Sequence, residues 1–321
     1  MRELDYCRPR TLEEALARLA DGGWTCLAGG TDLLPGLRVV PIGDSQVATP
    51  IALLDIRALS DLGRLDRWSD GTVRIGAAVK LSQAERSPLL LELLPAIAEA
   101  AGQIGSVQVR NLGTVGGNLA NASPAADLPP TLIALGAVAR LVSQRGERLL
   151  PVESLFLGPG RTTIAADELL VELLVPPQPA QSGCAYLKLA GRPAMDLAIV
   201  GVAASVVLAE RSRTSTVGSE LFVESARVAL ASVGPVPLRA ESAERAIVGA
   251  VVEPRMLEAN TEPPTAYRLA GEAARDDCRP IDDHRASANY RYDMIGVFAA
   301  RALAEAARRA ALAPVRLRGA K

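Results

Sequence analysis

Leu12, Ala15, Leu16 and Leu19 recur at the spacing of one helical face. Thr11 stands before them as a cap, with Glu14 three residues on in the pattern of a capping box, and Gly22-Gly23 ends the helix. The period then shortens. Trp24–Ala28 reads as a short buried strand with Gly29-Gly30 directly behind it, and further strands are predicted at Ile51–Ile56 and Val73–Ala77. Val39–Pro50, small, polar and flanked by proline, reads as a surface loop, and Leu89–Ala101 as a helix. The segment QVRNLGTVGGNLANASPAADLPP (Gln108–Pro130) has no regular period and is expected to be a long loop, of a kind that in compact domains is often functional. A helix is expected from near Asp127, with Pro129 and Pro130 in its first turn, where a missing N–H costs little. Strands follow at Ala137–Ser143 and Leu169–Val175.

Pro176–Gly183 (PPQPAQSG) is polar and proline-rich and is the best candidate for a domain boundary. Beyond it, Ala198–Leu208 and Leu221–Val233 read as two strands of a hairpin with a polar tip. Alanine-rich helices are predicted near Glu241–Ala250, Pro264–Ala274 and Ala288–Leu312.

Composition narrows the function classes. The chain has 321 residues, enough for two domains, and a net charge of −1, which gives no footprint for nucleic acid or a membrane surface. No apolar run approaches the roughly 20 residues that span a bilayer. MRELDYCRPR lacks an apolar signal core, so the expectation is a cytoplasmic protein. Cys7, Cys26, Cys184 and Cys278 are scattered, without the close spacing usual for metal or cluster ligands, and no metal site is expected. His284 is the only histidine, so a serine-type triad would rest on it alone.

Two motifs carry chemistry. In LAGGTDLL (Leu27–Leu34), a strand runs into Gly29-Gly30, then Thr31 and Asp32. Glycines free to take positive φ, with successive N–H groups turned one way, form a nest for phosphate oxygens. The alternative is a tight turn with a helix cap. In GTVGGNLANASPAAD (Gly113–Asp127), Gly116-Gly117-Asn118 repeats the pattern, Thr114, Asn118, Asn121 and Ser123 offer side-chain hydrogen bonds, and Asp127 can accept from a sugar hydroxyl; alone it could be a polar surface loop. Two such loops suggest a ligand with a pyrophosphate at its middle. No GxGxxG opens a βαβ unit and no GxxxxGK[ST] occurs, so neither the common dinucleotide fold nor a P-loop is supported.

With these motifs in order, the chain resembles the FAD-binding medium subunit of the molybdenum hydroxylases, the group of carbon monoxide dehydrogenase, 4-hydroxybenzoyl-CoA reductase and bacterial xanthine dehydrogenase. The resemblance spans nearly the whole sequence: YCRPRTLEEAL, AGGTDLLPGLR, RIGAAVKLS, the Gln108–Pro130 segment, DELLVELLVPP, YLKLAGRPAMDLAIVGVA and HRASANYRYDM. It implies an FAD site on Leu27, Ala28, Gly29, Gly30, Thr31, Asp32 and Leu33 and on Thr114, Val115, Gly116, Gly117 and Asn118. It also implies Asp127 on a cofactor hydroxyl, Ile104 and Leu170 packed beside the cofactor, and Lys188 near the flavin ring, where a cation stabilises the reduced, anionic form. Lys188 read by itself would be a solvated strand lysine. Thr31-Asp32 stands where carbon monoxide dehydrogenases tend to have His-Ser. Asn118 runs to Asp127 without the cysteine-rich insertion that holds an extra [4Fe–4S] cluster in 4-hydroxybenzoyl-CoA reductase.

The implied fold is α+β. A flavin-binding domain of the vanillyl-alcohol-oxidase/para-cresol-methylhydroxylase type is expected over 1–177, with sub-domains about 1–56 and 57–177, and an antiparallel sheet with helices over 178–321. FAD is expected in the cleft between them. The implied function is an oxidoreductase subunit without an acid–base dyad of its own. It would relay electrons between the two [2Fe–2S] clusters of a small partner and an external acceptor, beside a large molybdopterin-binding partner, in a dimer of heterotrimers. A stand-alone flavoprotein oxidase or reductase, or a non-catalytic nucleotide-binding protein, are the other readings. Activity of the lone chain on an organic substrate would favour the first, and failure to reconstitute with FAD the second.

Overall fold

The computed structural model describes residues 4–38, 51–192, 194–212, 219–258 and 261–313. The predicted loop at Val39–Pro50 and the hairpin tip at 213–218 lie outside these. The chain opens with β1 (Leu4–Cys7), α1 (Leu12–Asp21), β2 (Trp24–Leu27), α2 (Leu33–Arg38) and β3 (Ile51–Asp55). β1 and β2 flank β3, both parallel to it, with Cys7 and Cys26 each opposite Leu54. Thr11 Oγ1 accepts the Glu14 N–H at 3.2 Å, as the capping pattern predicts, but the returning Glu14 carboxylate accepts from Arg10 N–H at 2.8 Å, one residue ahead of the cap. The apolar face of α1 (Ala15, Leu16, Leu19) packs on Leu54, Ile56, Leu59 and Leu62. Expected to be buried, β2 buries only Leu27 fully, because it is an edge strand.

Next come β4 (Leu65–Arg67), β5 (Val73–Gly76), α3 (Leu81–Arg86), α4 (Pro88–Leu93), α5 (Pro95–Gly102), α6 (Val107–Leu112), α7 (Val115–Ala120), α8 (Leu128–Ala134), β6 (Val138–Ser143), β7 (Gly146–Pro151), β8 (Phe156–Gly158), β9 (Arg161–Thr162) and β10 (Leu169–Val175). The helix expected over Leu89–Ala101 is two, parted at Pro95, which cannot donate to the ladder of α4 but suits the first position of α5. The Gln108–Pro130 segment is helical for much of its length rather than a loop. Ser106 Oγ accepts Val109 N–H and starts α6; Thr114 Oγ1 accepts Gly117 N–H and starts α7. Six-residue helices are too short to leave a periodic signal, so their caps were the only cue in the sequence.

β10 is the central strand of an antiparallel sheet ordered β4-β5-β10-β6-β7. Its apolar run LLVELLV is continuous because both faces are covered. Leu169 and Val171 face the core under α1, whereas Leu170, Leu173 and Val175 face a second core beneath α5 and α8. The one charge, Glu172, is buried and paired with Arg140 at 3.1 Å.

The remainder comprises β11 (Ser182–Leu189), β12 (Val200–Ser212), β13 (Ser219–Ala231), β14 (Leu238–Arg239), α9 (Glu241–Ile247), α10 (Thr265–Ala273) and α11 (Ala288–Leu312), the strands ordered β11-β12-β13-β14 and antiparallel. The hairpin ladder runs to Ser212↔Ser219, beyond the expected ends, since polar side chains on exposed strands conceal pairing that the backbone still makes. One face of this sheet packs on α9, α10 and α11 in a third core. The other sends Tyr186, Ala203 and Ala229 into the second core against α8. Arg291 of α11, 2 % exposed, donates to the carbonyls of Ile199 (2.6 Å) and Ser232 (3.1 Å) and to Asp283 (2.7 Å), tying the helix to the strand ends. No helix among the described residues is long and apolar enough to cross a membrane.

Candidate functional site

The first glycine motif leaves β2 at the carboxyl edge of the parallel sheet, the edge at which open parallel sheets receive ligands. Gly30 has φ +69, a conformation that L side chains rarely adopt. Gly29 serves close approach: a Cβ there would lie 2.4 Å from the Leu112 carbonyl oxygen and 2.7 Å from Gly113 Cα. The turn Ala28–Asp32 therefore lies directly on the end of α6, and two motifs far apart in sequence become one surface. Among the described residues, the N–H groups of Gly29, Gly30, Thr31 and Asp32 have no protein acceptor, so this turn offers a row of open donors.

The second motif behaves differently. Val115 N–H donates to Val79 O (2.9 Å), Gly116 N–H to Ala77 O (2.8 Å), Gly117 N–H to Thr114 Oγ1 (3.1 Å) and Asn118 N–H to Thr114 O (3.0 Å). The donors expected to face a phosphate are thus taken up, those of Val115 and Gly116 in docking α7 on residues 77–79 and those of Gly117 and Asn118 by Thr114 at the start of the helix. Gly116 is required by that docking, since its Cβ would fall 2.5 Å from Ala77 Cβ. What this motif leaves available is the Asn118 side chain, whose Oδ1 is buried without any hydrogen-bond partner among the described residues. A buried, unsatisfied acceptor costs about 1–3 kcal/mol, which a ligand donor would recover.

Asp127 sits at the cap position of α8 yet makes no side-chain cap bond. Its carboxylate turns instead to β11, accepting from Tyr186 Oη at 2.6 Å and from Lys188 Nζ at 3.1 Å. Lys188 Nζ also donates to the Gln103 carbonyl at 3.2 Å. The Lys188 and Asp127 side chains are 6 % and 5 % exposed, so Lys188 is a buried, paired cation, not a solvated strand lysine. Burial pushes the Asp127 carboxyl above its ordinary value, although the Lys188 cation and the Tyr186 hydroxyl pull it the other way. Burial, reinforced by the Asp127 charge, holds the Tyr186 phenol far above its usual range, so it remains a donor.

Ile104 stands on the turn that Lys188 grips. The same turn is held from its far side by Arg110, which donates to the Ile104 and Gly105 carbonyls (3.1 and 3.3 Å) and pairs with Glu85 at 2.9 Å. Leu170, 5 % exposed, packs in the second core. Of the expected residues, the structure thus groups Leu27–Leu33 with the end of α6, and Asp127 with Lys188 beside the turn of Ile104. Sequence reasoning missed Tyr186, Gln103 and Arg110, which reach the site only through tertiary contacts. It also missed Asp55, fully buried beside Leu27 at the end of β3. That carboxylate takes two bonds from the Arg57 guanidinium (2.8 and 2.7 Å) and one from Tyr6 Oη (2.5 Å), and Arg57 above all holds it well below the carboxylate range.

Two clefts of about 620 and 640 Å³ lie elsewhere, one lined by Phe298, Arg301 and Arg308, the other by Pro95, Cys184 and Arg309; neither includes an expected site residue.

The donor set fits a flavin dinucleotide. Open N–H groups at a sheet edge suit its pyrophosphate, the orphaned Asn118 acceptor suits a hydroxyl or ring N–H, and apolar Ile104 beside a paired cation suits a ring with a polar edge. Residues 2–178 match the model of the FAD binding domain in molybdopterin dehydrogenase, and residues 185–306 that of the CO dehydrogenase flavoprotein C-terminal domain. The chain is 33 % identical to the alpha subunit of the 6-hydroxypseudooxynicotine dehydrogenase complex of Paenarthrobacter nicotinovorans, covering 95 % of each chain. It is 33 % identical to a putative xanthine dehydrogenase FAD-binding subunit of Escherichia coli, over 94 % of this chain and 95 % of that one. A solved carbon monoxide dehydrogenase of Hydrogenophaga pseudoflava, lacking the Mo-pyranopterin moiety of its cofactor, superposes with a TM-score of 0.80 at 32 % identity, covering 96 % of this chain and 98 % of that one. With two family matches along one chain and relatives of full length, the protein belongs to the FAD-binding medium subunits of the molybdenum hydroxylases.

Proposed function

We propose that this oxidoreductase subunit is an electron relay. The open turn Ala28–Leu33 holds the FAD pyrophosphate, Asn118 takes a cofactor donor, and the Lys188–Asp127 pair and Ile104 border the ring. Thr114–Gly117 and Leu170 form the wall behind. The single observation that carries this assignment is the row of N–H groups over Gly29–Asp32, unpartnered among the described residues and laid on the end of α6. When bound, the flavin supplies the redox chemistry. The chain's own residues bind it, orient it and set the charge beside it, since Asp127 and Asp55 are both committed to ion pairs. Electrons come from two [2Fe–2S] clusters on a small partner, fed by a large molybdopterin-binding partner, and leave to an acceptor such as NAD⁺, a quinone or O₂. The assembly is a cytoplasmic dimer of heterotrimers. The names of the relatives, a subunit of a dehydrogenase complex among them, support the need for partners. We place the division into two domains at 177/178; the end of the first family match at 178, the start of the second at 185 and the proline-rich Pro176–Gly183 support it.

Asn118→Leu tests the cofactor assignment. It removes an orphaned acceptor, so the flavin-free chain should be no less stable. FAD affinity should drop by roughly 5- to 150-fold, the equivalent of about 1–3 kcal/mol. Flavin titration followed by fluorescence, beside urea unfolding of the apoprotein, reads both quantities. Unchanged affinity would remove Asn118 from the site.

The relay is tested by expressing the chain alone and together with its genomic neighbours. The complex should bleach its flavin when given the organic substrate, and the lone chain should not. Turnover of an organic substrate by the lone chain at full rate would replace the relay with a self-contained flavoenzyme.

A further inference from the structure

Tyr186 is buried, 3 % exposed, and among the described residues its one side-chain hydrogen bond, at 2.6 Å, goes to Asp127 Oδ1. The contact is built into the sheet. Across β12, Tyr186 pairs with Ala203, and the hydroxyl lies over Gly201, where any Cβ would come within 2.8 Å of it. The site thus reserves space for a phenol oxygen that phenylalanine would not need. Asp127 in turn gives up its helix cap to meet Tyr186 and Lys188. The result is a three-membered buried chain, Tyr186–Asp127–Lys188, ending on the Gln103 carbonyl next to Ile104.

We propose that Tyr186 is a positioning residue for the flavin site: by holding Asp127 ionised and aimed at Lys188, it keeps the charge presented to the flavin ring near zero. The inference rests on the reading that Lys188 lies beside the flavin. With Asp127 as a carboxylate, Lys188 and Asp127 cancel; with Asp127 protonated, Lys188 stands as an uncompensated cation, which favours the more negative, reduced flavin and raises its potential. A proton on Asp127 would therefore reset the cofactor, and Tyr186 opposes it, because a hydrogen bond to the charged form favours that form.

No other charged group faces Asp127 among the described residues. Tyr186 and Lys188 come from β11. The strand opposite offers Ala203 and Gly201, and α7 (VGGNLA) carries no charge. On α5, Glu99 is paired with Arg309, and Arg110 is paired with Glu85 beyond the Gln103–Gly105 turn. Burial raises the proton affinity of Asp127 and the two donors lower it. Removing the Tyr186 hydroxyl therefore moves the protonation of Asp127 to higher pH, and the flavin potential with it.

The experiment is a redox titration of the bound flavin in the assembled complex across pH 5–9, for wild type and for the Tyr186→Phe, Asp127→Asn, double and Lys188→Met variants. Tyr186→Phe should raise the potential on the acid side and converge on wild type on the alkaline side. Asp127→Asn should raise it at every pH. Adding Tyr186→Phe to Asp127→Asn should change nothing further, because Tyr186 acts through Asp127. Lys188→Met should lower the potential at pH 9. If Asp127→Asn and Lys188→Met shift the potential but Tyr186→Phe coincides with wild type throughout, Tyr186 is only packing and the inference fails. If neither Asp127→Asn nor Lys188→Met shifts it, the flavin lies elsewhere and both readings fall.

Discussion

Gly29→Ala is expected to abolish flavin binding and to cost about 3 kcal/mol of stability, the upper end of what overpacking a close contact costs. The added carbon would meet the Leu112 carbonyl at 2.4 Å and the Leu112 carbonyl carbon at 2.8 Å, and these are backbone atoms with no rotamer to give way. Relief requires the Ala28–Asp32 turn to lift from α6, which moves the open N–H groups with it. Gly116→Ala should act similarly, because its contacts are Ala77 Cβ, Cα and O at 2.5 to 2.8 Å. Gly63→Ala is the control: nothing lies within 4 Å of its Cβ position, so its effect should stay within about 0.5 kcal/mol. Flavin absorbance per chain and urea midpoints would be compared across the three. Full occupancy in Gly29→Ala would mean that the contact between the turn and α6 does not shape the site.

Lys188→Met should destabilise the chain by about 3–5 kcal/mol at neutral pH, the range for removing one partner of a buried ion pair. The Asp127 carboxylate would be left with Tyr186 as its only charge-stabilising neighbour at 5 % exposure. Its proton affinity in the folded state, already raised by burial, would rise further. The sign follows from linkage. A folded state that holds a proton more tightly than the unfolded chain loses stability as pH rises, so the deficit relative to wild type should be greatest at alkaline pH and shrink on acidification. Urea unfolding between pH 5 and 9 measures it. A deficit independent of pH would show that Asp127 remains ionised without Lys188 and that the pair contributes packing alone. Paired with Asp127 at 3.1 Å, Lys188 is not a free cation, and on the proposed reading its charge would reach the ring largely cancelled.

Much of this protein was legible from local patterns. Thr11 and the Leu12–Leu19 stripe specify α1, the run Leu169–Val175 specifies a strand, and the alanine-rich stretch Ala288–Leu312 specifies α11, with the element as built matching that range. These features depend on the periodicity of side chains within one element, which a sequence displays directly. The two glycine motifs were legible as places where a chain needs small residues. Their reasons differ, however, and only the tertiary structure separates them. Gly29 and Gly116 are required by a backbone from elsewhere in the chain, Leu112 in one case and Ala77 in the other, whereas Gly30 is required by its own φ. For the same reason the Val115 and Gly116 N–H groups of the second motif turn out to be spent on Val79 and Ala77, and those of Gly117 and Asn118 on Thr114, while among the described residues those of Gly29–Asp32 stay open. The short helices α6 and α7 escaped notice because six residues are less than two turns and expose no stripe. Asp127 and Lys188 were identified separately, one as a hydroxyl acceptor and one as a cation near a ring. That they lie 3.1 Å apart with Tyr186 behind them follows from α8 packing against β11, a contact between elements about sixty residues apart. Sequence alone determined the longer patterned elements, such as α1, β10 and α11, and the residue types suited to a dinucleotide, since both are encoded within a few neighbouring positions. Which donors remain free and which charges cancel was decided only by tertiary packing, because each depends on a partner that folding brings from a distant part of the chain.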